Sequence, residues 1–120
     1  MNKSYDVNNI FAKILRSEVP CKKILENENA LAFSDINPQA PIHILIIPKN
    51  RYINFHDFTK NASQKESESF WKLVNDVVEH FKVEEEGFRL ITNSGSNGNQ
   101  DVPHFHVHLL GGENLGRMIG

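Results

Sequence analysis

The sequence predicts an α+β domain built on a mainly antiparallel five-stranded sheet with one long and one short helix. Three observations carry this reading. There is one long amphipathic stretch, there are several short β-branched or alternating segments, and turn-forming clusters separate them. Neighbouring strands with few helices between them favour antiparallel pairing over a repeated βαβ pattern. The 120 residues are expected to form one domain, residues 1–120, large enough to bury roughly two thirds of its unfolded surface.

The first element is a short helix from about Asn9 to Arg16. Ile10, Phe11, Ile14 and Leu15 recur at helical spacing, with Asp6, Asn8 and Asn9 available as N-caps, and Pro20 closes the region. Lys23-Ile24-Leu25-Glu26 and Ala30-Leu31-Ala32-Phe33 flank a polar tetrad and read as a β-hairpin. Asn37-Pro38-Gln39-Ala40-Pro41 is irregular, because its prolines restrict themselves and the residues before them. Ile42 to Ile47 has the β-branching of a central strand covered on both faces, and Pro48 ends it. His56 falls in the loop that follows.

The clearest helix runs from Ser63 to about Lys82. Phe70, Leu73, Val74, Val77, Val78 and Phe81 form one apolar stripe suited to covering a sheet, with Trp71 beside it as a core or dimer contact. His80 near its end suits a solvent-facing or C-capping role. Glu84-Glu85-Glu86 reads as a solvated turn. Two strands follow, Phe88 to Thr92 and His104 to Leu110, separated by the Asn93–Gln100 loop, which is dense in residues tolerating unusual backbone angles.

Composition excludes several classes. With 13 basic and 15 acidic residues, the net charge of −2 argues against a nucleic-acid polymer as partner. No aliphatic run approaches the ~18 residues of a membrane span, and Met1 to Asp6 has no apolar core of a secretory signal. No membrane association is expected. The single cysteine, Cys21, excludes an internal disulfide and reads as a free structural thiol in a reducing, cytoplasmic compartment.

Six histidines are many for this length, and three lie within five positions. In a strand, His104-Phe105-His106-Val107-His108-Leu109-Leu110 sends its histidines to one face and Phe105, Val107 and Leu109 to the other. A plain solvated face would be served as well by Thr, Lys or Glu. Two chemical readings remain: a metal site, with His43 or Asp101 as a further ligand, or imidazole catalysis with one ring as nucleophile. The adjacent loop favours the second, since its Gly and Asn residues let backbone N–H groups converge on an anion.

The histidine segment matches at every position the signature His-φ-His-φ-His-φ-φ, with φ apolar, and so resembles the histidine triad (HIT) family. Ile10 to Leu15, Phe33 to His43, Ile47-Pro48-Lys49 and Leu110-Gly111-Gly112 extend the likeness over nearly the whole chain. The Leu-Gly-Gly ending, followed by Leu115-Gly116-Arg117-Met118, is similar to the Hint branch, and the acidic Asp101 resembles its bacterial type. The resemblance implies a HIT-like fold, a homodimer, and purine nucleoside phosphoramidase or nucleotide hydrolase activity at the α-phosphorus. His106 would be the nucleophile forming a covalent nucleotidyl-histidine, its other nitrogen held by a same-strand backbone carbonyl. His104 and His43 would form the supporting hydrogen-bond shell, and His108 would contact the phosphate and help protonate a departing amine.

The resemblance also makes Asp35 the ribose ligand and places Ile10, Phe11, Ile14, Phe33 and Ile36 around the base. For Ile14 and Phe33, ordinary core is an equal reading. Asn93, Asn99, Gln100 and Asp101 would line the nucleotide site, with Asn93, Gln100 and Asp101 bordering the phosphate or leaving group. Asn99 and Asp101 stand where eukaryotic Hint proteins carry Gly and Ser, and Glu113 stands where Arg is common. An ionised Asp101 can only accept hydrogen bonds, so it is expected to bind a leaving amine or orient His108. No cofactor or metal is required, and zinc, if bound, would be a non-catalytic ligand. The partner is a purine nucleotide or nucleoside phosphoramidate. The alternatives are a dinucleoside polyphosphate hydrolase of the same fold, or a nucleotide- or zinc-binding regulatory protein with little turnover.

Overall fold

The structure is a computed structural model that describes residues 4–119; the sequence reading of Met1-Asn2-Lys3 lies outside them. Among the described residues the elements run α1 (Ile10–Leu15), β1 (Lys23–Glu26), β2 (Ala30–Ser34), β3 (Ile42–Pro48), α2 (Phe55–Asn61), α3 (Gln64–Phe81), β4 (Phe88–Ile91) and β5 (Val107–Gly111). The expected five-stranded antiparallel sheet forms in the order β1-β2-β3-β5-β4, with β3 at its centre.

Local chemistry sets the ends of the helices. Of the three candidate caps for α1, Asn9 serves: its side chain accepts from the Ala12 N–H at 2.9 Å. Ser63 and Glu66 close a reciprocal capping box on α3, and Lys82 ends it in the left-handed conformation, φ +56°. None of the described helices is long and apolar enough to cross a membrane.

Strand alternation divides the interior in two. Ala30, Ala32, Ile44, Ile46, Val107 and Leu109 point toward α3 and meet Phe70, Leu73, Val74, Val77 and Val78 there, with Phe58 and Phe105 in the same cluster. On the opposite face Leu31, Phe33, Leu45 and Ile47 pack with Phe11 of α1, and Ile14 and Leu15 lie against them. α1 is too short to cover that whole face, and the histidines occupy the remainder.

Two expectations need correction. A third helix, α2, replaces the loop proposed around His56; Asn54 caps it, and Phe58 is its one buried residue. A single buried position in seven residues leaves no periodicity to read. The last strand begins at Val107 instead of His104. The Phe105 N–H donates to the Tyr52 carbonyl at 2.7 Å, so this segment bonds outside the sheet, yet its side chains keep the period-two alternation.

Candidate active site

The four histidines arrive from two places. His43 on β3 and His108 on β5 are near neighbours on adjacent strands, because Leu45 pairs with His108 and His43 pairs with Leu110. His104 and His106 come from the segment entering β5 and are buried, with 0% and 5% exposure. The Phe11 ring packs edge-on against His106, with centroids 4.9 Å apart.

Backbone partners determine which ring nitrogens carry hydrogen. His106 Nδ1 lies 2.7 Å from the His104 carbonyl, which can only accept, so Nδ1 is the donor and Nε2 keeps its lone pair. His104 Nε2 donates to the Pro48 carbonyl at 2.9 Å, and its Nδ1 accepts from the Tyr5 hydroxyl at 2.5 Å. The Gln39 N–H donates to His43 Nδ1 at 3.0 Å, so His43 carries its hydrogen on Nε2. That Nε2–H points to His108 Nδ1 at 2.9 Å, which leaves His108 with its own hydrogen on Nε2. The site therefore presents one bare nitrogen, on His106, and one N–H donor, on His108.

Electrostatics keeps all four rings neutral at pH 7. Burial lowers the His104 pKa to about 4 and, with the neighbouring His106 and His43, lowers that of His108 to about 4. Burial also lowers His106, opposed by its bond to the His104 carbonyl and by the charges of Asp101 and Asp35. For His43, burial outweighs the opposing pull of Asp35.

Asp35, His43 and His108 bring ligand atoms within 4.8 Å of one another, the grouping a zinc ion would need. Its carboxylate comes from Asp35; Asp101, the acid considered from the sequence, is not part of it. The donor chemistry does not fit a metal. A backbone N–H occupies His43 Nδ1, so the nitrogen facing the cluster bears hydrogen and has no lone pair to give. Asp35 Oδ2 instead lies 3.3 Å from His43 Nε2 while Oδ1 accepts from the Asn37 N–H at 2.8 Å. Lone pairs remain on both oxygens.

The other sequence-expected residues divide. Ile10 and Ile36 expose apolar surface, Ile36 at 94%, whereas Phe33 is buried behind Phe11 and Ile14 packs against the same cluster. Phe33 thus supports the pocket as core and offers no free surface. Asn93 is half-buried just beyond β4, and Asp101 is exposed. Gln100 differs from expectation. Its Nε2 donates to the carbonyls of Ile53 and Val102, and its Oε1 accepts from the Gly95 N–H, so its amide braces the loop instead of facing phosphate. Asn99 is exposed at φ +56°, a conformation that Gly and Asn both tolerate, which accounts for Asn where the resemblance expects Gly. Gly98 admits no side chain, because a Cβ would lie 2.5 Å from the Ser94 carbonyl oxygen.

Several contributors escaped the sequence reading. Tyr5 bonds His104, Gln39 fixes His43 through its backbone, and the Thr92 hydroxyl donates to the His106 carbonyl at 2.7 Å. The adjoining Pro41 gave the only hint of a fixed turn before His43, and nothing in the sequence pointed to Tyr5. Of the residues set apart, His80 is exposed as expected, His56 is exposed on α2, and Cys21 is an exposed free thiol. Trp71 is 40% exposed and packs edge-on to Phe70.

Together the fold and the site define a small α+β domain built around a hydrogen-bonded histidine cluster. The chain belongs to the HIT domain family, which matches residues 16–115. It is 50% identical to an uncharacterized HIT-like protein of Azospirillum brasilense over 99% of this chain and 98% of that one. It is 38% identical to the purine nucleoside phosphoramidase of Escherichia coli, covering 92% of each. Among solved structures it is similar to a HIT family hydrolase from Clostridium thermocellum, with TM-score 0.80, 40% identity and coverage of 93% of this chain and 96% of that one. A histidine triad protein from Clostridium difficile gives TM-score 0.82 at 36% identity, covering 95% and 98%.

Proposed function

We propose that this protein is a cytoplasmic purine nucleoside phosphoramidase and nucleotide hydrolase, formed as one domain over residues 1–120, with His106 as nucleophile. One observation carries the reading: the 2.7 Å bond from His106 Nδ1 to the His104 carbonyl in a neutral ring, which leaves Nε2 bare. His106 Nε2 bonds to the α-phosphorus as the phosphorus–nitrogen bond breaks. The electron pair goes to the leaving nitrogen, which takes a solvent-derived proton passed through His108 Nε2. Water then attacks phosphorus, the His106–phosphorus bond breaks, and the water proton returns to solvent by the same ring. The products are an amine and a nucleoside monophosphate.

Asp35 supports ribose binding, because its oxygens retain lone pairs for two hydroxyls beside His43. Ile10 and Ile36 offer the apolar surface a base would cover, with Phe11 behind it. Asn93 would meet the phosphate or leaving group, and Asp101 would accept from a leaving amine or orient His108. The exposed edge strand β4, with Phe88 and Leu90 on its surface, supports a homodimer joined along that edge; light scattering should give twice the chain mass. The activity is tested with adenosine phosphoramidate: wild type should release AMP, and His106→Ala should not. Equal turnover by the two would refute the assignment.

A further inference from the structure

One buried contact beside His106 has no part in bond making or breaking. His104 is wholly buried and makes no attack, yet both its ring nitrogens are engaged, one by Pro48 and the other by Tyr5 from 99 positions away. The Tyr5 ring also lies edge-on to the His104 ring, with centroids 5.6 Å apart, and Arg51 sits over the Tyr5 ring at 5.9 Å from its centre.

We propose that Tyr5 is a positioning residue for nucleotidyl transfer. Its hydroxyl hydrogen occupies the Nδ1 lone pair of His104, holding that ring neutral and in place, so that the His104 carbonyl keeps His106 in its reactive tautomer. The proposal rests on His106 being the nucleophile.

The chemistry leaves His104 Nδ1 few options. Its Nε2–H is committed to the Pro48 carbonyl, so a neutral ring needs a donor at Nδ1, and among the described residues Tyr5 supplies it. A proton there would have to displace the tyrosine hydrogen. It would also place a cation two residues from His106, opposing the positive charge that develops on that ring as Nε2 bonds to phosphorus. The titratable groups facing this pair are His106 on the same segment, and Arg51, Arg16 and Asp6 around Tyr5. Pro48 of β3 and Phe11 of α1, which also pack against His104, carry none. Tyr5 bonds none of Asp35, His43 or His108, so its effect should fall on the chemical step and spare nucleotide binding.

Tyr5→Phe keeps the ring and removes only the hydroxyl. With adenosine phosphoramidate, kcat should fall about tenfold while KM stays within about twofold. In ¹⁵N spectra His104 should titrate about one unit higher than in wild type, because the bond favouring its neutral form is gone, and the acid limb of kcat should move up with it. A lower melting temperature with unchanged kcat and an unchanged His104 titration would overturn the proposal and leave Tyr5 a packing residue. Should the variant fail to fold, the wild-type spectrum decides: hydrogen on His104 Nε2 alone supports the proposal, and hydrogen on Nδ1 overturns it. A wild type without turnover would instead refute the phosphoramidase reading, while the ¹⁵N titrations of wild type and Tyr5→Phe would still show whether Tyr5 holds His104.

Discussion

Beneath α3 the sheet meets a continuous apolar cluster, with Phe58, Phe70 and Phe105 stacked or tilted at 4.8–5.2 Å between ring centres. On its other face the short α1 covers part of the surface, and four neutral imidazoles fill the rest. A single segment supplies both sides: Phe105, Val107 and Leu109 enter the core while His104, His106 and His108 face away from it. The difference teaches how imidazoles can be placed accurately by backbone partners. The apolar set fixes the backbone, and that backbone then supplies the carbonyl and N–H groups that fix each ring's hydrogen. Among the described residues no buried side-chain polar atom lacks a partner, so burying the histidines leaves no unpaired group behind.

If the two faces divide labour in this way, exchanging neighbours should give opposite phenotypes. The largest effect is expected from His106→Ala, which should lower kcat by about 10³-fold or more while leaving the protein folded; single-turnover kinetics beside a thermal melt checks both halves. Phe105→Ala, one residue away, should cost about 3–5 kcal/mol of stability by opening a cavity under α3. Denaturant unfolding measures that, and the fraction remaining folded should still turn over substrate.

Acid should separate the faces next. Unfolded histidine titrates near pH 6.5, whereas His104 and His108 in the fold titrate at about 4. As pH falls from 6.5 toward 4, the unfolded chain binds protons that the folded chain refuses, so stability is lost across that window. Melting temperatures from pH 7 to 4 should show the fall, and His108→Asn should lessen it. The acid limb of kcat/KM should likewise lie below the ordinary histidine value, since burial lowers His106. The smallest effect is expected from Ser63→Ala on α3, far from the rings. Losing the cap should cost about 1 kcal/mol in denaturant unfolding with kcat unchanged.

The elements legible in the sequence were those with a strong period or a strong cap. The stripe from Phe70 to Phe81, the β-branched run of β3 and the alternation from His104 to Leu110 each stated which face is buried. Helix α2 had no such period, and the bond from Phe105 to Tyr52 that delays β5 joins distant residues. At the site, residue types were legible and their partners were not. That His106 needs a carbonyl holder follows from imidazole chemistry; the holder is His104, two residues back in the segment that enters β5. Gln100 misled because an amide beside an anion loop looks like a ligand until its bonds to Ile53, Val102 and Gly95 are seen. Tyr5 and Gln39 each act on one histidine through one hydrogen bond, which leaves no pattern in the chain.

The central claim is that His106 Nε2 is the bare nitrogen that bonds to phosphorus. The direct measurement is intact-mass and peptide mass spectrometry after rapid, acid-free quenching of a single turnover with adenosine phosphoramidate. A nucleotidyl mass on the peptide containing His106, absent from His106→Ala, is the expected result. Turnover without any adduct, or an adduct on His108 or His104, would contradict it.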